Sequence, residues 1–181
     1  MLHVIKRRDM LTVDTNDLQM ILDAFGIREK IVETEELFRY DYKNDPTGKN
    51  VRLMLKCLFA ERGPVVVKLK HENDVTETLL TEQIRFSEHL AACGIQTARF
   101  YCAEDSYVIC RTLHNYEVLV TAEEFRSGEI TVVTPEITEQ TGCLLGMTHS
   151  IAERDHCHVH GAVLFDFFAG MICFLMSVFR S

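Results

Sequence analysis

The 181 residues carry 47% hydrophobic and 25% charged side chains, which suits a soluble globular domain, or one small lobe with part of another, and excludes a disordered or fibrous chain. A formal net charge of −8, from 19 basic and 27 acidic residues, excludes a broad nucleic-acid footprint, so an anionic ligand needs a local basic site. Met1–Asp9 has no apolar core for a secretory signal, and seven cysteines without a CxxC pair read as the reduced thiols of a cytoplasmic protein.

Residues 1–14 read as a loosely held leader. Leu18, Ile21, Leu22 and Phe25 recur at helical spacing behind the cap candidates Asp14, Thr15 and Asn16, with Gly26 as the stop. Strand texture begins at Ile31 and runs to Tyr42, and Lys43–Asn50 is dense in turn formers. Val51, Leu53, Leu55 and Cys57 alternate with Arg52, Met54, Lys56 and Leu58, which predicts a half-buried strand to about Ala60. Glu61-Arg62-Gly63-Pro64 turns the chain into a third strand, Val65–Lys70. Local turns make these three an antiparallel meander.

Asp74-Val75-Thr76-Glu77 has the spacing of a capping box, with the aspartate as cap, and opens a helix that Gly94 stops. Leu79, Phe86, Leu90 and Cys93 form its apolar stripe, and Glu82 lies beside that stripe, about 60° from Leu79. Tyr107–Leu113 and Tyr116–Phe125 are two more strands, joined by a hairpin at His114-Asn115. Thr134-Pro135 starts a last helix, whose seam is Ile137, Gln140, Leu144, Met147 and Ile151, ending near residue 152.

A lysine inside Val65-Val66-Val67-Lys68, followed by a helix that carries Glu82, is the pairing that organises the chain. In this order of elements the chain resembles the nucleotide-binding lobe of the protein-kinase-like superfamily, in the branch of aminoglycoside phosphotransferases and choline kinases. The resemblance covers about residues 15–152. It implies an α+β fold: a five-stranded antiparallel sheet with one packed helix and a short helix before it, then the first helices of a helical second lobe. It divides the chain into a leader (1–14), a nucleotide-binding lobe (15–128) and the truncated start of the second lobe (129–181).

The resemblance also implies ATP and Mg2+ as cofactors and a small-molecule alcohol as acceptor, with neither nucleic acid nor membrane as partner. Lys68 would meet the phosphates and pair with Glu82, while Glu124 and Phe125 would stand at the hinge, near the base. Leu144-Leu145-Gly146-Met147-Thr148-His149 is similar to the family's early second-lobe helix, which often ends in a leucine–histidine pattern. The glycine-rich loop is reduced to Gly48.

The family's catalytic loop, H-G-D-x-x-x-x-N followed by a metal-binding aspartate, has no match. His160-Gly161 imitates its first letters, but Ala162 and Phe167 stand where aspartate and asparagine belong. Asp166-Phe167-Phe168 comes too soon to be the metal-binding aspartate. No catalytic or metal-binding residue is assigned, and the chain is expected to be the front portion of a phosphotransferase, inactive by itself. Phe167–Phe179 is apolar and would promote self-association; extended back to Ala162 it approaches a membrane span in length, but Asp166 interrupts it.

Two other functions stay open. One is a kinase-like binding module without catalysis. The other is an α+β metal protein, in which an extended His156-Cys157-His158-Val159-His160 turns three imidazoles to one side, with Cys143 and His149 as further donors. Neither a G-x-S-x-G nor a Walker A pattern is present.

Overall fold

The computed structural model describes residues 11–42, 50–128, 130 and 132–160. The turn at 43–49, residues 1–10 of the leader, the imitated catalytic letters after His160 and the apolar stretch Phe167–Phe179 lie outside the described residues. The architecture is α+β. Its elements are α1 (Thr15–Ala24), β1 (Glu33–Tyr42), β2 (Asn50–Leu58), β3 (Val65–His71), α2 (Glu77–Ala92), β4 (Ile109–Leu113), β5 (Tyr116–Glu124) and α3 (Pro135–Arg154). The five strands form one antiparallel sheet in the order β1-β2-β3-β5-β4.

Two compact units divide the chain. The first takes residues up to Val75 and Tyr101–Ala122, and the second Thr76–Phe100 and Glu123 onward. In the first, α1 places Leu18, Ile21 and Leu22 in a core with Val51, Leu53, Val65, Val67 and Leu69 of β2 and β3 and Val118 and Val120 of β5. The alternation read in β2 is kept, because Val51, Leu53, Leu55 and Cys57 are buried and Arg52, Met54 and Lys56 are half-buried. Burying one such aliphatic side chain is worth about 1.5–3 kcal/mol. In the second unit a smaller core joins Leu90 and Ile95 to Ile151, with Phe86, Cys93 and Leu144 packed on it.

The helix ends share one device. Ile27 N–H bonds Leu22 C=O after α1, Ile95 N–H bonds Leu90 C=O after α2, and Cys157 N–H bonds Ala152 C=O after α3. Each closes a Schellman motif around a residue with positive φ: Gly26 (+74°), Gly94 (+90°) and, in place of a glycine, His156 (+51°). The helix start at Asp14 holds, its carboxylate accepting from Asp17 N–H at 2.8 Å, as does the one at Thr134.

Several boundaries differ from the sequence reading. α2 starts later than Asp74 suggested, because the Thr76 hydroxyl accepts from Leu79 N–H at 3.1 Å and is the cap, while Val75 N–H turns back to Glu72 C=O. β4 starts at Ile109 instead of Tyr107, since the Ser106 hydroxyl bonds both Val108 C=O and Val108 N–H and holds that stretch in a local loop. α3 runs on to Arg154, and Met147, placed in its seam, is 53% exposed while Thr148 is buried. The buried side chains of α2 are Leu79, Leu80, Ile84, Ser87 and Leu90, so Phe86 and Cys93 sit at the margin of the stripe.

Candidate functional site

Lys68 lies on β3, half-buried, directly opposite Met54, which in turn lies opposite Phe38 on β1. Lys70 lies opposite Arg52, which lies opposite Tyr40. Residues directly opposite share a face of the sheet, and i and i+2 share it along a strand. The face turned from the core therefore carries two rows, Phe38–Met54–Lys68 and Tyr40–Arg52–Lys70. A bulge at Leu37 shifts the β1 register just before these rows. Phe38 is 46% exposed and Tyr40 39%. Arg52 bonds the Glu72 carboxylate through two nitrogens, and Lys56, the next outward residue of β2 after Met54, bonds Glu35 at 2.9 Å. Four cationic side chains, Arg52, Lys56, Lys68 and Lys70, thus share this face of a chain of net charge −8, with Arg52 and Lys56 held by carboxylates.

Glu82 belongs to the second unit, on α2, and both its oxygens are engaged there. His160 donates its backbone N–H to Oε2 at 2.6 Å, and His160 Nδ1 lies 3.0 Å from Oε1. These contacts, the backbone N–H first, hold the Glu82 carboxyl below the usual 4.5. A depressed folded pKa contributes stability that is present above the unfolded value and lost as pH falls through the folded one. Glu82→Gln should therefore lower the urea midpoint at pH 7 and leave it near the parent's at about pH 3. A deficit equal at both pH values would show that the carboxylate charge contributes nothing.

Glu124 and Phe125 are also in the second unit. Glu124 N–H bonds Arg99 C=O at 2.8 Å, its carboxylate meets Arg126 at 3.0 Å, and Phe125 is half-buried. The three histidines near α3 do not form the extended run that a shared face requires. His156 is held at positive φ in the turn, and the His160 ring faces Glu82.

A different set of ligand-type atoms converges instead. His89 Nε2 stands 2.7 Å from Asp155 Oδ2, and Cys93 Sγ stands 3.9 Å from Nε2 and 4.0 Å from Oδ2. Arg154 donates to both oxygens of Asp155 at 2.6 Å and to Cys93 Sγ at 3.5 Å. Asp155 is held well below the ordinary carboxylate range, by Arg154 first and His89 second. Burial, and then the negative charge of Asp155, pushes the nearby Cys157 thiol up.

The sequence reading missed Phe38, Tyr40, Arg52 and Lys70, whose signal was the strand alternation itself once a register was assumed. It also passed over His89-x-x-x-Cys93, a one-turn spacing inside a helix already assigned. Asp155 had no such signal. No family model matches this chain, and neither a curated protein nor a solved structure matches it.

Proposed function

We propose that this chain is a nucleotide-binding lobe of the kinase-like phosphotransferase type, which takes ATP with Mg2+. The observation that supports it most is the outer sheet face, where Lys68 and Lys70 share a surface with two exposed aromatic rings, Phe38 and Tyr40, one strand intervening. Phosphate oxygens suit the ammonium groups, and a purine ring suits Phe38 or Tyr40 as a stacking surface. The helix inserted after the lysine-bearing strand, in a sheet of five antiparallel strands, agrees with the same reading.

The fit to the implied ligands is uneven. The described face offers cations for phosphates, and two of its carboxylates, Glu72 and Glu35, are taken up by Arg52 and Lys56. Both Glu82 oxygens are engaged by His160, so the proposed nucleotide site draws on the sheet face rather than on Glu82. Acceptor hydroxyl and phosphotransfer are parts of the proposal that rest on the resemblance, and a cytoplasmic setting is a part that rests on the scattered cysteines. Among the described residues no helix is long and apolar enough to cross a membrane.

A charge-assisted bond to phosphate contributes roughly 1.5–3 kcal/mol, or about 10- to 100-fold in affinity. Calorimetric titration with ATP and Mg2+, on variants shown to be folded, should therefore show at least a tenfold loss for Lys68→Met. Lys30→Met, exposed in the connection between α1 and β1, should bind like the parent. Equal affinities for Lys68→Met and the parent, or no binding by the parent at millimolar nucleotide, would overturn the reading.

A further inference from the structure

Cys93 is the C-cap of α2 and Asp155 the C-cap of α3, and their side chains meet. Helix C-termini carry partial negative charge from the aligned peptide dipoles, so two of them close together favour a cation. His89, one turn before Cys93 on the same face of α2, adds its ring. The three donor atoms, Nε2, Sγ and Oδ2, all lie within 4.8 Å of one another.

Their arrangement decides between two uses. A cysteine–histidine–aspartate relay needs the thiol on one ring nitrogen and the carboxylate on the other. Here both approach the same atom, His89 Nε2, which cannot donate to Asp155 and accept from Cys93 at once. A metal ion would use all three atoms together. Zinc bonds of about 2.0–2.3 Å in a tetrahedron place ligand atoms roughly 3.3–3.6 Å apart. The observed 2.7, 3.9 and 4.0 Å bracket that range, so side-chain shifts of less than about 1 Å would suffice.

The donor set also selects the ion. One imidazole, one thiolate and one carboxylate suit borderline-soft zinc or cobalt, whereas magnesium and calcium require mostly oxygen. Arg154 Nη2 now bonds both Asp155 Oδ2 and Cys93 Sγ, and it is the group a metal must displace. Its side chain is 63% exposed and would return to water at little cost, while its Nε bond to Oδ1 can persist and orient the carboxylate. An open depression lined by Cys93, Gly146, Met147, Ser150, Ile151 and Arg154 gives access to the sulfur.

We propose that His89 Nε2, Cys93 Sγ and Asp155 Oδ2 form a site for one divalent cation of the zinc class, joining the C-terminal ends of α2 and α3. On binding, the metal–sulfur bond replaces the S–H bond of Cys93 and the proton goes to solvent; no redox change is involved. The fourth coordination position stays open to water.

Titration of the reduced, full-length chain with Co2+ should give one equivalent bound and a thiolate-to-cobalt charge-transfer absorption. Cys93→Ser should remove that absorption, His89→Ala should weaken binding tenfold or more, and Arg154→Ala should strengthen it. On the unaltered chain, Zn2+ should protect Cys93 from iodoacetamide, read by peptide mass spectrometry, whatever the folding of the variants. His158→Ala should leave all of this unchanged. Absence of the absorption, its survival in Cys93→Ser, its loss in His158→Ala, or Cys93 alkylation unaffected by Zn2+ would each overturn the site.

Discussion

Leu69→Ala is expected to lower the unfolding free energy by about 2–5 kcal/mol, a large part of the 5–15 kcal/mol typical of a folded domain. Leu69 is fully buried on β3 and lies opposite Leu53 of β2, itself 1% exposed, in the core that also receives α1. Shortening it forfeits the transfer of the lost carbons from water and leaves a cavity between residues held in register by the strand pairing. The strands cannot close on the space without disturbing the β2–β3 ladder.

The chain has no tryptophan, so urea unfolding followed by far-ultraviolet circular dichroism is the appropriate measurement. Met20→Ala, on the 62% exposed side of α1, should stay within about 0.5 kcal/mol of the parent. A cost below about 1 kcal/mol for Leu69→Ala would mean that β3 is not central to the first unit. The comparison also bears on ligand binding. Leu69→Ala should weaken nucleotide binding only through loss of folded protein, whereas Lys68→Met should weaken it in the folded protein itself.

Most of the fold was legible because local chemistry and burial agreed. Asp14 with Gly26, and Thr134 with Pro135, marked helix ends that the hydrophobic spacing independently required. Val51, Leu53, Leu55 and Cys57 marked one face of β2 through alternation alone. Two kinds of feature were hidden. A cap can be chosen between near neighbours only by geometry, and Thr76 displaced Asp74 because its hydroxyl, at the right turn, reaches Leu79 N–H. A Schellman stop filled by His156 does not announce itself, because glycine is the residue that marks that conformation in a sequence.

The candidate sites divide in the same way. Lys68 was visible because a cation inside a β-branched run is unusual, but the aromatics of the same sheet face, Phe38 and Tyr40, depended on a register that includes the bulge at Leu37. The Glu82–His160 contact spans 78 positions, and the His89–Asp155 contact 66. Separations of that size are set by the packing of Leu90, Ile95 and Ile151, and no local pattern encodes them.

Above pH 9 the parent protein should lose stability through one thiol. Cys57 is fully buried on β2, opposite Val65, and burial pushes its pKa from 9.0 up to about 11. The physical cause is the cost of taking a thiolate out of water. A raised folded pKa means that the fold retains a proton which the unfolded chain gives up first. The stability is therefore fully present below pH 9 and declines as pH rises to about 11, by roughly 2–3 kcal/mol for a shift of this size. Cys57→Ala removes the titrating group, so the alkaline decline should become shallower even though the variant starts about 1 kcal/mol lower at neutral pH. Paired urea titrations at pH 8 and about pH 10.5 isolate the thiol, because the tyrosines and other cysteines titrate equally in both proteins. Alkylation should agree with them. Exposed Cys102, Cys110 and Cys143 should react with iodoacetamide in the folded chain, and Cys57 only in step with unfolding. An alkaline decline identical in parent and Cys57→Ala would show that the fold does not retain that proton.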